Sequence, residues 1–298
     1  MSLQNDLTSS TQGKTIDLHT HSTASDGSFT PTDLAYEAKK AGVSAIALTD
    51  HDSVNGIDEI TAAGEKCGME IVPGVELSTE YLDEEIHVVG LFIDHRNETL
   101  KNQLQKFVDS RDGRNLKIIE RLHDEGFDIS AEEIYARNPD SVVARPHIAR
   151  YLVETGQVPD VQTVFDRYIG AGRPCYVERY KITPIEAVAL IHEAEGLAIL
   201  AHPCLYKISR ETLLILIREM KEKGLDGIEA LYSCNEGSDD EDYCRIAREF
   251  DLLISGGSDF HGASKPDIHI GTGKGNLHVP YELLDTMKEY LTKKNQSK

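Results

Sequence analysis

One unit recurs along this sequence: a short apolar stretch that ends in histidine or a carboxylate and is followed by a helix pattern. The first stretch, around Ile16 and Leu18, alternates apolar and polar residues with the period of a β-strand. Later strands are predicted to end at His51, Glu76 and His202. Strands that alternate with helices are usually parallel and joined by crossovers. Seven predicted strands therefore indicate an α/β fold, a closed or nearly closed barrel with its chemistry at the C-terminal ends of the strands.

An open doubly wound sheet is the alternative fold. It usually has a glycine-rich phosphate loop after its first strand, and none follows Thr20 here. The repeating unit stops between residues 97 and 180, where apolar residues are spaced as in helices. We predict four segments: a disordered N-terminal segment at 1–13, the first part of the barrel at 14–96, an inserted, mainly helical subdomain at 97–180 and the second part of the barrel at 181–292.

The charge balance limits the partners of the chain. Its 51 acidic and 31 basic residues give a formal net charge of −20, which argues against binding duplex nucleic acid or an anionic membrane. A small anionic substrate held by metal ions stays open, because bound cations change the local field. The five scattered cysteines predict free thiols in a reducing compartment. With no membrane-length apolar run and no signal peptide, we predict a cytoplasmic protein.

The strand ends supply a set of candidate metal ligands. His19 and His21 stand two residues apart on a strand, so they point to the same face, and Asp26 can return to this place after a Ser-Asp-Gly turn. Imidazole and carboxylate together suit Zn, Mn or Fe rather than Ca or Mg alone. The candidates are too many for one tetrahedral ion and suit two or three metals that share carboxylates, as in phosphoryl chemistry. They are His19, His21, Asp26, His51, Glu76, His87, His202, Asp259 and His261.

Several motifs, in this order along the chain, resemble one known family. They are His19-x-His21, Ser25-Asp26-Gly27, Thr49-Asp50-His51-Asp52, Pro73-Gly74-Val75-Glu76, His87-x-x-Gly90, Ala201-His202-Pro203 and Gly257-Ser258-Asp259-x-His261. They are similar to the PHP family, the polymerase and histidinol phosphatase superfamily. The resemblance implies a distorted seven-stranded (β/α) barrel with three metal ions. The ligand sets that it implies are His19, His21, Glu76 and Asp259 for one metal, Glu76, His87 and His202 for a second, and Asp26, His51 and His261 for a third.

The Ser25-Asp26-Gly27 form and the helical insertion resemble one branch of that family, the nucleoside 3′,5′-bisphosphate phosphatases and 5′-3′ exoribonucleases. The resemblance implies removal of a 3′-phosphate, as from adenosine 3′,5′-bisphosphate (pAp) to give AMP, and trimming of short 5′-phosphorylated RNA. The expected nucleophile is a metal-bound hydroxide held by the metal ligands, with His261 as a candidate to steady the leaving oxygen. Two alternatives stay open: a small-molecule monophosphatase of the histidinol phosphate type, and a non-catalytic, metal-stabilised accessory barrel.

The predicted insertion contains the candidates for substrate binding. Arg145-Pro146-His147 resembles an Arg-x-His element of the same branch, and Arg173 lies in a Gly-Ala-Gly-Arg-Pro turn. The planar fork of arginine binds phosphate oxygens in pairs, so we predict that Arg145, His147 and Arg173 bind a phosphate of the substrate. Glu229 ends no evident pocket and is predicted to be a residue of the barrel interior.

Overall fold

The computed structural model describes residues 13–138, 143, 145–178 and 180–296. The strands of this part of the chain are β1 (Ile16–Thr20), β2 (Ala45–Leu48), β3 (Glu70–Tyr81), β4 (Glu84–Leu91), β5 (Leu197–Leu200), β6 (Gly227–Tyr232) and β7 (Leu253–Gly257). The α-helices are α1 (Pro31–Ala41), α2 (Ile57–Cys67), α3 (Glu98–Asp124), α4 (Ala131–Ala136), α5 (Arg145–Glu154), α6 (Val161–Val164), α7 (Pro184–Glu193), α8 (Arg210–Glu222), α9 (Asp239–Glu249) and α10 (Glu282–Gln296). Except for Gly13, the segment predicted to be disordered at 1–13 lies outside the described residues.

The seven strands form one sheet in chain order, and the first strand meets the segment that follows the last. Thr20 forms a parallel bridge with Phe260. The backbone N–H of His21 donates to the carbonyl oxygen of Phe260 at 2.9 Å, and the N–H of Asp259 donates to that of His19 at 2.8 Å. These bonds close the sheet almost completely, so the predicted barrel is confirmed.

One strand differs from the predicted arrangement. β4 runs antiparallel to β3 and to β5, so the expectation of parallel strands throughout is wrong for β4. Only Leu82 and Asp83 separate β3 from β4, and both have positive φ angles, 51° and 64°. So short a connection makes a hairpin, because a parallel crossover needs about a dozen residues or more. The other neighbouring strands are parallel.

Apolar side chains from both faces of the sheet build the core of the barrel unit. Ile16, Leu18 and Ile199 belong to one buried cluster, and Ile46 and Leu48 pack with helices α1 and α2 in another. Helix α1 begins where the Thr30 hydroxyl accepts the Asp33 N–H at 3.1 Å, and it ends at Gly42 with a φ of 83°. A glycine suits this end because a left-handed residue without Cβ avoids a steric penalty.

The chain divides into two compact units. One contains the barrel and comprises residues up to Lys101 together with those from Ile182 onward, and the other is Asn102–Lys181. The second unit has its own buried cluster, which includes Ile118, Leu122 and Ile148. We continue to propose that the segment predicted at 97–180 is an insertion in the barrel. No described helix combines the length and the apolar character that crossing a membrane requires.

A buried carboxylate ties two helices of the barrel unit to the sheet. Asp226 lies directly before β6 and is 2% exposed. It accepts the N–H of Ala198 at 2.9 Å, and its two oxygens each lie 2.7 Å from a nitrogen, Nε2 of His192 on α7 and Nζ of Lys294 on α10. Burial alone would raise the pKa of Asp226, but His192 and Lys294 hold it below its ordinary value.

We expect Asp226→Asn to lower the free energy of unfolding at neutral pH by about 3 kcal/mol, because it leaves the partly buried ammonium of Lys294 without its carboxylate. A pKa depressed in the folded state stabilises the protein above the unfolded pKa of about 4, and this contribution is lost as the pH falls through the folded pKa. The difference between variant and wild type should therefore shrink below about pH 4. Urea unfolding at neutral and acidic pH measures it. Asp267→Asn, at an exposed carboxylate, is the control, and a pH-independent difference for Asp226→Asn would contradict the prediction.

Candidate metal centre

The structure brings the nine predicted ligand side chains together at one edge of the barrel. They are His19 on β1, His21 directly after it, Asp26 in the following loop, His51 after β2, Glu76 on β3, His87 on β4, His202 after β5, and Asp259 and His261 after β7. His87 lies in the first half of its strand, yet it reaches this edge because β4 runs in the opposite direction. The β3–β4 hairpin, which was not predicted, therefore places the predicted residue His87 at this edge.

Glu76 is the centre of the cluster. Its side chain is fully buried, and five histidine nitrogens surround its two oxygens. The distances are 3.2 Å to Nε2 of His19, 3.3 Å to Nε2 of His21, 3.0 Å to Nδ1 of His51, 2.9 Å to Nδ1 of His87 and 2.9 Å to Nε2 of His202. A single carboxylate among so many imidazoles is typical of a shared metal ligand.

Asp26 belongs to a second group, in which one donor atom from each residue lies within 4.8 Å of the others: His21, Asp26, His51 and His261. The closest approach is 3.3 Å, between Oδ1 of Asp26 and Nε2 of His261. Unlike Glu76, Asp26 is half exposed, so this group borders the solvent.

The carboxylate of Asp50 holds the loop that presents Asp26 through several hydrogen bonds. Asp50 accepts the N–H of Ser22 at 2.8 Å, and it accepts the hydroxyls of Ser22 and Ser25 at 2.7 and 2.6 Å. The N–H of Gly27 donates to the carbonyl of Ser22, and a Cβ added at Gly27 would lie 2.5 Å from the backbone oxygen of His21. Any residue with a Cβ would clash here, so the tight turn after Asp26 requires glycine at position 27.

Asp259 has an unusual backbone conformation that points its side chain into the cluster. Its φ is 59°, in the left-handed region, where aspartate is tolerated better than most residues. Its Oδ1 lies 3.2 Å from Nε2 of His21 and 3.3 Å from Nδ1 of His261. His202 also has a positive φ, of 21°. Backbone strain of this kind is found where a site holds side chains in a required geometry.

Glu229 lies in this site, which corrects its assignment to the barrel interior alone. It is buried, one oxygen lies 3.0 Å from Nδ1 of His19, and the other accepts the backbone N–H of His202 at 2.7 Å. A carboxylate on the far nitrogen of a ligand histidine fixes its tautomer and orientation. The signal in the sequence was a charged residue inside the apolar strand Gly227–Tyr232, because a buried charge needs a partner.

We expect Glu229→Gln to weaken metal binding by about 10- to 100-fold, the usual effect of losing an outer partner of a metal ligand. The amide can accept from one of the two N–H groups but presents its own NH₂ to the other. Equilibrium dialysis against buffered Mn²⁺, followed by elemental analysis, measures the change. Glu222→Gln, on the exposed face of α8, is the matched control, and equal affinities in the two variants would disprove the role of Glu229.

The charges in the cluster favour a cation. Burial alone would raise the pKa of Glu76, but the neighbouring histidines, His51 foremost, hold it well below its usual range. Burial, with His261 nearby, holds the pKa of His21 well below its usual range. Glu76 is therefore an ionised carboxylate and His21 a neutral imidazole, which are the forms that ligate metals. Burial would lower the pKa of His19, His51 and His87, but neighbouring carboxylates raise it, so these three would release a proton on binding a metal.

Buried nitrogen and oxygen atoms that lack a hydrogen-bond partner indicate whether the cluster fits metal ions. Several buried atoms of the cluster have no hydrogen-bond partner within the described residues: Nε2 of His19, both ring nitrogens of His21, Oε2 of Glu76 and Nδ1 of His202. A buried polar atom without a partner costs about 1–3 kcal/mol. Except for Nδ1 of His202, whose ring approaches Glu76 through Nε2, these atoms are donors that divalent transition metals bind, so the clusters are able to hold metal ions.

The predicted substrate-binding residues all lie in the second unit. The guanidinium of Arg145 is 5.9 Å from the ring centroids of both Phe165 and Tyr176. His147 lines a cavity of about 240 Å³ together with other residues of that unit. Arg173 is exposed, and its N–H donates to the carbonyl of Gly170 at 3.0 Å. Phosphate binding by Arg145, His147 and Arg173 stays a prediction.

Comparisons with known proteins agree with this picture. The PHP domain profile matches residues 17–178. The chain is 39% identical over 249 residues to a 5′-3′ exoribonuclease of Haemophilus influenzae, covering 83% of this chain and 90% of that protein. It is 34% identical over 265 residues to a 3′,5′-nucleoside bisphosphate phosphatase of Chromobacterium violaceum, covering 86% and 90%. A crystal structure described as a metal-dependent phosphoesterase, from Bifidobacterium adolescentis, matches with a TM-score of 0.78 at 28% identity, over 92% of this chain and 96% of that one.

A barrel whose strand ends gather histidines and carboxylates is typical of a metal-dependent hydrolase. The chain belongs to the PHP domain family. It is a metal-dependent phosphoesterase, so both the family and the enzyme class predicted from the motifs are confirmed. The non-catalytic accessory barrel is accordingly set aside.

Proposed function

We propose that this enzyme removes the 3′-phosphate of nucleoside 3′,5′-bisphosphates, converting pAp to AMP, and that it also trims short 5′-phosphorylated RNA. The observation on which the proposal rests most is Glu76, fully buried and within 3.3 Å of five histidine nitrogens. A carboxylate in this position can join several metal ions, which phosphoryl transfer uses to neutralise phosphate oxygens. The names of the two relatives, a bisphosphate phosphatase and an exoribonuclease, support these two activities.

We propose three divalent ions, Mn, Fe or Zn, held by the nine clustered side chains. The sets are His19, His21, Glu76 and Asp259 for the first, Glu76, His87 and His202 for the second, and Asp26, His51 and His261 for the third. Such ions supply Lewis-acid stabilisation of phosphate charge and lower the pKa of a coordinated water. Three groups of donor atoms lie within 4.8 Å of one another and overlap with these sets, which supports a site with more than one metal: His21, Asp26, His51 and His261; His19, His21 and Glu76; and His51, Glu76 and His87.

The side chains of the site have separate tasks in this proposal. Glu229 holds His19 in one tautomer through its Nδ1. The carbonyl oxygen of Asp259 lies 2.8 Å from Nδ1 of His261 and accepts a hydrogen bond from Nδ1–H, which leaves the lone pair on Nε2, the atom beside Asp26. His261 is therefore oriented to bind a metal through Nε2 at the solvent side of the cluster, where Asp26 is half exposed. To steady the leaving oxygen instead, it would have to be protonated on Nε2 as well.

The proposed substrates are small nucleotides and short RNA, and duplex nucleic acid and membranes are not expected partners. The net charge of −20 supports this choice, because it repels long polyanions except where metals neutralise the field. We also propose a cytoplasmic location, since all five cysteines are free thiols, as is usual in a reducing compartment. No protein partner is proposed.

A turnover screen tests the proposal. Protein loaded with Mn, Fe or Zn is assayed against pAp, histidinol phosphate and a 5′-phosphorylated oligoribonucleotide, and its metal content is measured by elemental analysis. We expect the highest kcat/KM for pAp, with about two to three metal equivalents per chain. His202→Ala should lose metal and activity, whereas His278→Ala, at an exposed histidine, should lose neither. A preference for histidinol phosphate, or less than about one equivalent of metal in a saturated sample, would refute the proposal.

A further inference from the structure

We propose that Lys265 and Tyr232 are positioning residues that hold Asp259 so that only one of its oxygens faces the metal centre. Lys265 Nζ lies 2.6 Å from Oδ2 of Asp259, and the Tyr232 hydroxyl donates to the same oxygen at 2.7 Å. The other oxygen, Oδ1, faces the histidines, 3.2 Å from Nε2 of His21 and 3.8 Å from Nε2 of His19. This inference rests on the proposed function, in which Asp259 is a metal ligand.

Two donors on one oxygen limit how Asp259 can bind a cation. A free carboxylate can bind a metal through one oxygen or through both, and it can rotate between these modes. With Oδ2 occupied by an ammonium and a hydroxyl, only Oδ1 is left for the centre. The arrangement is well buried, since the side chain of Asp259 is 6% exposed and Tyr232 is 3% exposed. Hydrogen bonds of this kind to ligating carboxylates usually contribute to metal affinity.

The segment that presents Lys265 is tied to the loop that presents Asp26. Lys265 directly follows a short 3₁₀ turn, Gly262–Ser264, and its N–H donates to the carbonyl of Gly262 at 3.1 Å. The Ser264 hydroxyl donates to the backbone oxygen of Asp26 at 3.2 Å, and the N–H of Ala263 donates to the Ser28 hydroxyl at 2.7 Å. The Lys265 contact therefore links Asp259 to a turn that is itself bonded to the second ligand-bearing loop.

Close packing fixes the position of this turn. Gly262 has a φ of 63°, and a Cβ added there would lie 2.1 Å from Oγ of Ser28. Only glycine allows the turn to approach the loop so closely. Lys265 is thus held by the backbone on one side and by Asp259 on the other, although its side chain is 41% exposed.

Lys265 has two opposite effects on a nearby cation, and variants separate them. Its charge repels a metal at Asp259, whereas its hydrogen bond orients the carboxylate toward the metal. Tyr232→Phe removes a hydrogen bond and no charge, so it reports orientation alone. Lys265→Met removes both the bond and the charge, and Lys265→Arg keeps a charged donor. If orientation dominates, as we infer, Tyr232→Phe and Lys265→Met should each weaken binding of one metal equivalent by about 10- to 100-fold.

The test uses Mn²⁺ alone on intact, Mn-loaded protein. Wild type and variants are dialysed against buffers of fixed free Mn²⁺, and the retained metal is counted by elemental analysis, with urea unfolding to check the fold. We expect one weakened equivalent in Tyr232→Phe and Lys265→Met, and recovery of that equivalent in Lys265→Arg. Lys274→Met, at an exposed lysine of the same segment, is the matched control and should bind like wild type.

The outcomes distinguish this inference from the function on which it rests. Binding in Lys265→Met that equals or exceeds that of wild type would overturn the role of Lys265, because repulsion would then outweigh orientation. Unchanged binding in Tyr232→Phe would overturn the role of Tyr232. A wild-type protein that retains no metal would instead refute the proposed function itself.

Discussion

Glu76→Gln should abolish binding of at least one metal ion and lower kcat/KM by more than about 100-fold, or about 2.7 kcal/mol of transition-state stabilisation. The reason is the position of Glu76, whose oxygens lie within 3.3 Å of five imidazoles, and no other carboxylate among the described residues contacts all five. Glutamine has the same shape but no charge, so it cannot neutralise two cations or replace both oxygens as ligands. Elemental analysis and steady-state kinetics with pAp measure the two effects.

Glu65→Gln is the control for this substitution, because it makes the same chemical change at an exposed position of α2. It should leave metal content and kcat/KM unchanged. Thermal unfolding separates the loss of the centre from the loss of the fold. A folded Glu76→Gln protein with wild-type metal content would show that Glu76 is not a shared ligand.

Arg145→Ala and Arg173→Ala should each lower kcat/KM for pAp by about 10- to 100-fold and change it little for a simple aryl phosphate. In the proposed mechanism, metal ions would bind the reacting phosphate of either substrate, so they would not distinguish the two substrates. A charge-assisted contact to the second phosphate can, and the loss of one such contact costs about 1.5–3 kcal/mol. Competition between the two substrates in one reaction measures the ratio directly.

Arg167→Ala is the control for these arginines, since it removes an exposed arginine from the same helical unit. Metal content should equal that of wild type in all three variants. The alternative role of Arg145 is structural, through its contacts with Phe165 and Tyr176. The prediction is falsified if Arg145→Ala and Arg173→Ala slow both substrates equally while the fold is intact.

The edge where the histidines gather could be predicted from local sequence. Residues two apart on a strand point the same way, so His19 and His21 had to share a face. An apolar stretch that ends in a polar residue indicates the end of a strand, and this pattern placed His51 and His202 correctly after β2 and β5. These predictions depend only on periodicity, which the sequence displays directly.

The direction of β4 could not be predicted from the alternation of strand and helix patterns. The predicted third strand ended at Glu76, whereas β3 continues to Tyr81, which leaves only Leu82 and Asp83 before β4. Neither residue is the glycine or asparagine that usually reveals a tight hairpin turn. Both nevertheless adopt positive φ, because hydrogen bonds between the paired strands outweigh the local preference.

The sequence also did not predict which residues contact the ligand Asp259 from outside the cluster. Tyr232 lies 27 residues before Asp259, and they meet only because β6 and β7 are neighbours in the sheet. Lys265 is six residues after Asp259, but sequence spacing does not indicate which oxygen it contacts. Contacts of this kind depend on closure of the barrel and on side-chain geometry.

The pairing of β1 with the segment after β7 determines how late in synthesis the ligand cluster can be completed. The bridge between Thr20 and Phe260 joins residues from opposite ends of the chain, and His19 and Asp259 meet beside it. A nascent chain that stops before Asp259 has already made the other candidate ligands except His261, but it lacks the segment that completes the ring. The proposed centre therefore cannot be complete until the segment with Asp259 and His261 has left the ribosome and paired with β1.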